Sequence, residues 1–144
     1  MRNKDLTKKA LKMKINALKI LKNSSLKLTK QRVSLVKVLF EKGNYHFTVE
    51  DVFNEINKKQ KRISLATVYN GLNQFVNLGI LKVVKTAGDK VFFDTNRSSH
   101  HHFFCKTTGK IEDINSAEIV ISKIPKIPKS KRLESVEIII NVSE

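Results

Sequence analysis

Acidic side chains are scarce: 13 Asp and Glu stand against 28 Lys and Arg in 144 residues, leaving a formal net charge of +15. That imbalance exceeds what solubility needs and makes a polyanion the expected partner. Cysteine is nearly absent, with Cys105 alone, so no intrachain disulfide can form and a reducing compartment is the expected home. No apolar run approaches the roughly 18 residues of a membrane span. The basic N-terminus lacks the apolar core and cleavage site of a signal peptide, so a cytoplasmic protein with no membrane partner is expected. Neither a phosphate-binding glycine loop nor a paired-carboxylate signature is present, which leaves an enzyme little to stand on.

The charge that is there is unevenly spread. Met1 to Arg32 holds 11 basic residues and one acid, which favours binding at one edge of the molecule. Asp5 to Leu21 places Leu6, Ala10, Met13, Ala17 and Ile20/Leu21 at helical spacing among lysines, predicting a basic amphipathic helix; without aromatic anchors it is a poor membrane binder. Thr29 is a cap for a second helix carrying Val33, Val36, Leu39 and Phe40, closed by Gly43. Asn44 to Phe47 reads as a loop holding His46. Thr48 with Asp51 resembles a capping box opening a helix to about Lys59, with Val49, Val52, Phe53 and Ile56 on its apolar side.

Ile63 to Val84 organises the rest. Ser64 is an N-cap, and Leu65, Val68, Leu72, Phe75 and Val76 recur on one buried helical face. Thr67, Tyr69, Asn70 and Asn73 fall elsewhere, as groups able to meet phosphates, base edges and thymine methyls. Gly79 ends this helix, and Ile80 to Lys85 with Val91 to Asp94 read as a hairpin around Thr86 to Asp89. Three helices leading into a hairpin are the parts of a winged helix-turn-helix. After the linker Asn96 to Ser99 the pattern turns to strands at His100 to Lys106 and Lys110 to Ile114. A short helix through Ala117, Ile119, Val120 and Ile124 is expected next, stopped by Pro125 and Pro128, then a strand from Leu133 to Val142. So small a unit has exposed strand edges that a second copy would cover, which predicts a homodimer.

His100, His101 and His102 are three of the four histidines. In a strand His100 and His102 share one face, and His46 and Asp94 are candidate co-ligands for a metal there. His101 faces the other way, with Asp113 and Glu134 as candidate partners. Cys105 falls beside His101 by alternation and reads as a packed thiol rather than a nucleophile.

Through LKLTKQR, HFTVEDVFNEI, ISLATVYNGLNQFVNLGIL, FFDTN, HHHFFC and GKIEDI, the chain resembles the ferric uptake regulator (Fur) family from about Leu26 to Asn141. More narrowly it is similar to the iron response regulator (Irr) branch. The resemblance implies an α+β protein with a winged helix-turn-helix at 26–95 and a small α/β dimerisation and ligand-sensing domain at 96–144; the basic helical extension at 1–25 lies outside it. It implies control of iron and haem genes by a dimer on double-stranded operator DNA. Lys27 would reach the minor groove and Tyr69 the bases; Lys30, Arg32, Ser64, Thr67 and Asn70 complete the DNA-contacting set. Asn70 stands where typical Fur proteins have arginine, as in the Irr branch.

His46, Asp94, His100 and His102 match the family's inter-domain metal site, while His101, Asp113 and Glu134 take the places of a weaker second one. Thr108 stands where a second cysteine usually holds structural zinc, so a four-cysteine zinc is not expected. The expected signal is haem at His100, His101 and His102, or Fe(II)/Mn(II). Three rivals remain: a Fur-type repressor that requires bound Fe(II) or Mn(II), an architectural DNA-binding protein that senses nothing, and a haem- or metal-handling enzyme.

Overall fold

The computed structural model describes residues 2–41, 45–59 and 62–144, with side chains from residue 8 onward. The chain divides into two compact units, Met1–Lys85 with Lys90–Arg97, and Thr86–Asp89 with Ser98–Glu144. The first contains helices α1 (Arg2–Lys22), α2 (Lys30–Leu39), α3 (Val49–Lys58) and α4 (Leu65–Asn77), and strands β1 (His46–Phe47), β2 (Lys82–Lys85) and β3 (Val91–Asp94).

Each helix is set by its ends and its buried stripe. Helix α1 buries Ala10, Ala17 and Leu21 while Leu11 and Ile15 stay exposed; Leu6 lies outside the described side chains. Thr29 caps α2 by accepting the Arg32 amide hydrogen bond at 3.2 Å. Helix α2 stops at Leu39 with Phe40 as its cap, and Gly43, the expected stop, lies outside the described residues. The α3 capping box is reciprocal: Asp51 N–H donates to Thr48 Oγ1 at 3.2 Å, and Thr48 N–H to Asp51 Oδ2 at 2.9 Å.

Helix α4 buries Val68, Gly71, Leu72 and Phe75. Leu65, expected on that face, is 45% exposed: at the first helical position it lies beyond the packed contact. The α4 end is a Schellman motif. Gly79 takes φ 75°, its N–H donates to Val76 O at 3.0 Å, and Ile80 N–H to Phe75 O at 2.8 Å.

The core joins Leu21, Leu35, Leu39, Phe47, Val52, Ile56, Val68, Leu72, Phe75 and Ile80, each such side chain contributing about 1.5–3 kcal/mol by leaving water. Helix α1 therefore belongs to this core through Ala17 and Leu21. The sheet has the order β1-β3-β2, with His46 opposite Asp94 and Phe47 opposite Phe93. His46, expected in a loop, is thus in a strand. Phe47 draws it there, stacking on Phe93 at 5.7 Å and on Tyr45 at 5.3 Å.

The second unit is a sheet of order β5-β4-β6, from β4 (His101–Cys105), β5 (Ile111–Ile114) and β6 (Ile139–Val142). Strand β4 is antiparallel to β5 and parallel to β6. Two expected elements are shorter. The helix after Asn115 is a single 3-10 turn, Ser116–Glu118, and Ile119 is already extended; consecutive β-branched residues and two prolines deny it the length a helix needs. The last strand spans Ile139–Val142 rather than starting at Leu133. Among the described residues no helix is long and apolar enough to cross a membrane.

Candidate metal centre and nucleic-acid interface

The exposed face of α4 is set by what its other face buries. With Val68, Gly71, Leu72 and Phe75 turned inward, Leu65, Ala66, Tyr69 and Asn70 are left outside, and Tyr69 is 53% exposed. Ser64 Oγ caps the helix by accepting the Thr67 amide at 3.1 Å and lies 2.8 Å from Thr67 Oγ1. Both hydroxyls are thereby engaged at the helix N-terminus, where free amides and the helix dipole favour phosphate.

Lys27 and Lys30 are exposed. Arg32 is half-buried and behaves differently: its guanidinium donates to Lys27 O at 2.6 Å and to Gln74 Oε1 at 3.4 Å. Arg32 therefore ties the Lys27 segment and α2 to α4 and positions its neighbours. Gly71 allows the close approach, since a Cβ there would stand 2.6 Å from Leu35 Cδ1.

In the first unit, the ladder that opposes His46 to Asp94 also brings His46 Nε2 to 3.1 Å from Asp94 Oδ2. The Asp94 side chain is 1% exposed, and its Oδ1 accepts the Asn96 amide at 2.8 Å. In the second unit, Asp113 lies opposite His102 in the β4–β5 ladder. One oxygen, Asp113 Oδ1, stands 3.2 Å from His100 Nε2 and 3.3 Å from His102 Nε2. The two rings meet edge to face at 4.5 Å.

A backbone partner sets which ring nitrogen of His100 faces the carboxylate. His100 Nδ1 lies 2.7 Å from Ser98 O, and a carbonyl only accepts, so Nδ1 carries the proton. With Nδ1 engaged in this way, Nε2 is the ring atom that faces the carboxylate oxygen, and both can serve as ligand atoms. Donors bound ~2.0–2.2 Å from one ion stand roughly 3 to 3.5 Å from each other, which is the spacing seen. Imidazole and carboxylate donors without thiolate suit divalent iron, manganese or zinc. The residues present fit such an ion.

The second expected cluster is not assembled. Asp113 sits with His100 and His102; His101 Nδ1 accepts the Ile138 amide at 3.0 Å; Glu134 is exposed, 3.9 Å from Arg132. His101 is thereby spent on holding the chain that enters β6. The grouping of Asp113 with His100 and His102 is the feature of the candidate site that sequence reasoning missed. Cys105 is half-buried, and a hydrogen bond with the Thr108 side chain, followed by backbone bonds from Thr108 and Thr107, holds its thiol below the ordinary range.

Comparison with known proteins gives the family. The family model for the ferric uptake regulator family matches residues 23–143. The "Ferric uptake regulation protein" of Escherichia coli (strain K12) is 35% identical over 100 residues, covering 69% of this chain and 68% of the relative. The "Peroxide-responsive repressor PerR" of Staphylococcus epidermidis is 29% identical over 99 residues, covering 69% of this chain and 65% of the relative. The structure of the Helicobacter pylori ferric uptake regulator, described as having three functional metal-binding sites, aligns with TM-score 0.71 at 25% identity, over 93% of this chain and 90% of that one. That of the Pseudomonas aeruginosa regulator with manganese aligns with TM-score 0.71 at 24% identity, over 89% and 97%. Sequence and fold thus agree that the chain belongs to the ferric uptake regulator family of transcriptional regulators.

Proposed function

We propose that the protein is a dimeric, iron-responsive regulator that binds double-stranded operator DNA through α4 and the β2–β3 hairpin, its affinity set by a ligand at the histidine segment. His100, His102 and Asp113 are the proposed donors to a divalent ion, with His46 and Asp94 completing the set as the resemblance implies. The observation that carries this is one carboxylate oxygen within 3.3 Å of two buried imidazole nitrogens. When bound, a divalent ion supplies positive charge that the donors cannot supply themselves. The ion shifts DNA binding only insofar as it prefers the DNA-competent arrangement of the chain.

Haem is the second reading for the signal, favoured by three adjacent histidines and by Thr108 in place of a cysteine. The Irr-like haem response and the Fur-like requirement for Fe(II) or Mn(II) separate in one experiment. Operator binding by the purified protein is titrated with Mn²⁺, Fe²⁺ and haemin, with metal-loaded and metal-stripped protein in parallel. Changing His100, His101 and His102 together to alanine abolishes the response in either case. His46→Ala damages the ion response, whereas His101→Ala spares it. A triple variant that responds like the parent removes the histidine segment as sensor and leaves an architectural DNA-binding protein.

A further inference from the structure

Between the 3-10 turn and β6 the chain reads Lys123-Ile124-Pro125-Lys126-Ile127-Pro128-Lys129-Ser130-Lys131-Arg132, with no helix or ladder strand over these residues. Its local chemistry explains this. Each proline fixes its own φ and drives the isoleucine before it into extended backbone. Extended backbone of that kind, at three residues per turn and ~3.1 Å per residue, would set Lys123 and Lys126 on one side about 9 Å apart, with Lys129 following at the turn. The row ends in a tight corner: Lys131 N–H donates to Pro128 O at 3.1 Å, and Ser130 takes φ 68°.

The charge here is local. Residues 98–144 hold seven basic side chains and six acids, and five of the seven are Lys123, Lys126, Lys129, Lys131 and Arg132. No acid lies between Glu118 and Glu134, and all five basic residues are exposed. Among the described residues their one ion pair, Arg132 with Glu134 at 3.9 Å, is 89% and 79% exposed and neutralises little. A second copy would bring an identical positive row, so like charge disfavours it. A row of point charges without aromatic side chains reads charge density rather than base identity, and duplex DNA presents one negative charge per ~1.7 Å of axis.

We propose that Lys123, Lys126, Lys129, Lys131 and Arg132 form a second phosphate-binding surface, which grips nucleic-acid backbone without reading sequence. The inference rests on the DNA-binding reading above and adds a contact outside the winged helix. The test uses the full chain on operator and on long random-sequence duplex across a salt series. It compares the parent, K123Q/K126Q/K129Q, K123R/K126R/K129R and Y69A. The glutamine variant is expected to lose affinity equally on both duplexes, with the slope of log K against log salt shallower by about 0.9 per contact, ~2.7 for three. The arginine variant keeps the parent slope, and Y69A keeps its salt slope while losing discrimination.

A parent that binds neither duplex overturns the DNA reading itself. A parent that binds, with an unchanged slope in the glutamine variant, overturns only the second surface. Loss of binding to polyglutamate, with the duplex slope unchanged, overturns it in favour of an acidic protein partner.

Discussion

Gly71 is where α2 and α4 touch with room for a hydrogen and nothing more. A methyl there would come within 2.6 Å of Leu35 Cδ1, and Leu35, 1% exposed, is packed into the core on every side. Gly71→Ala gains about 1 kcal/mol of helix propensity and costs about 1–3 kcal/mol of overpacking, a net loss of ~0–2 kcal/mol. Leu35→Ala alone opens a hole and costs about 2–5 kcal/mol. In the double variant the methyl added at position 71 occupies part of that hole, so the two changes together cost less than their sum, by at least ~1 kcal/mol. The chain has no tryptophan, so urea unfolding is followed by far-UV circular dichroism, which reports the first unit because the four α-helices among the described residues lie there. Operator affinity of Gly71→Ala falls in parallel, since the displaced helix carries Tyr69. Additivity of the two changes to within ~0.3–0.5 kcal/mol refutes the close-contact argument.

Tyr69→Ala should abolish discrimination between operator and random duplex, while Lys30→Ala weakens both about equally and lowers the salt slope by about 0.9; unchanged specificity in Tyr69→Ala means α4 does not read bases. Burial raises the Tyr45 phenol above its ordinary range, with the charges of Asp51 and Glu55 adding to it. A raised folded-state value contributes stability that is complete below the unfolded pKa of ~10 and is lost as pH rises through the folded value. Tyr45→Phe should therefore flatten the fall in urea midpoint above pH 10, and an unchanged fall assigns alkaline unfolding elsewhere. Thr108→Val removes the hydroxyl that holds the Cys105 thiol down, so iodoacetamide labelling near pH 8 slows; a rate equal to the parent's contradicts that cause.

Helix starts were legible because a cap is a local device: Thr29, Thr48 and Ser64 each bond an amide three residues on. Gly79 was legible for the same reason. The face of Asp113 was not, because it depends on counting through a turn. The register pairs His102 with Asp113 and His101 with Ile114, and directly opposed residues share a face. A slip of one residue pairs Asp113 with His101 instead and moves it to the other side of the sheet. The helix expected after Asn115 failed for another reason: Ile119, Val120 and Ile124 have helical spacing, but spacing cannot outweigh β-branching and two prolines in so short a run.

Strand β1 is two residues long and pairs with β3 alone among the sheet's strands. Tyr45 fastens its start, donating to Thr95 Oγ1 at 3.0 Å and accepting the Thr95 amide at 3.2 Å. So short a ladder opens cheaply on its own, and its amides belong to the quickly exchanging fraction. His46 and Asp94, if they hold an ion together, would staple one ladder rung by its side chains, raising the free energy of opening without adding a backbone bond. Deuterium uptake at residues 45–47 and 95 then becomes a clock for occupancy that runs whether or not DNA is present. Because β3 also pairs with β2, the staple stiffens the wing from its central strand outward.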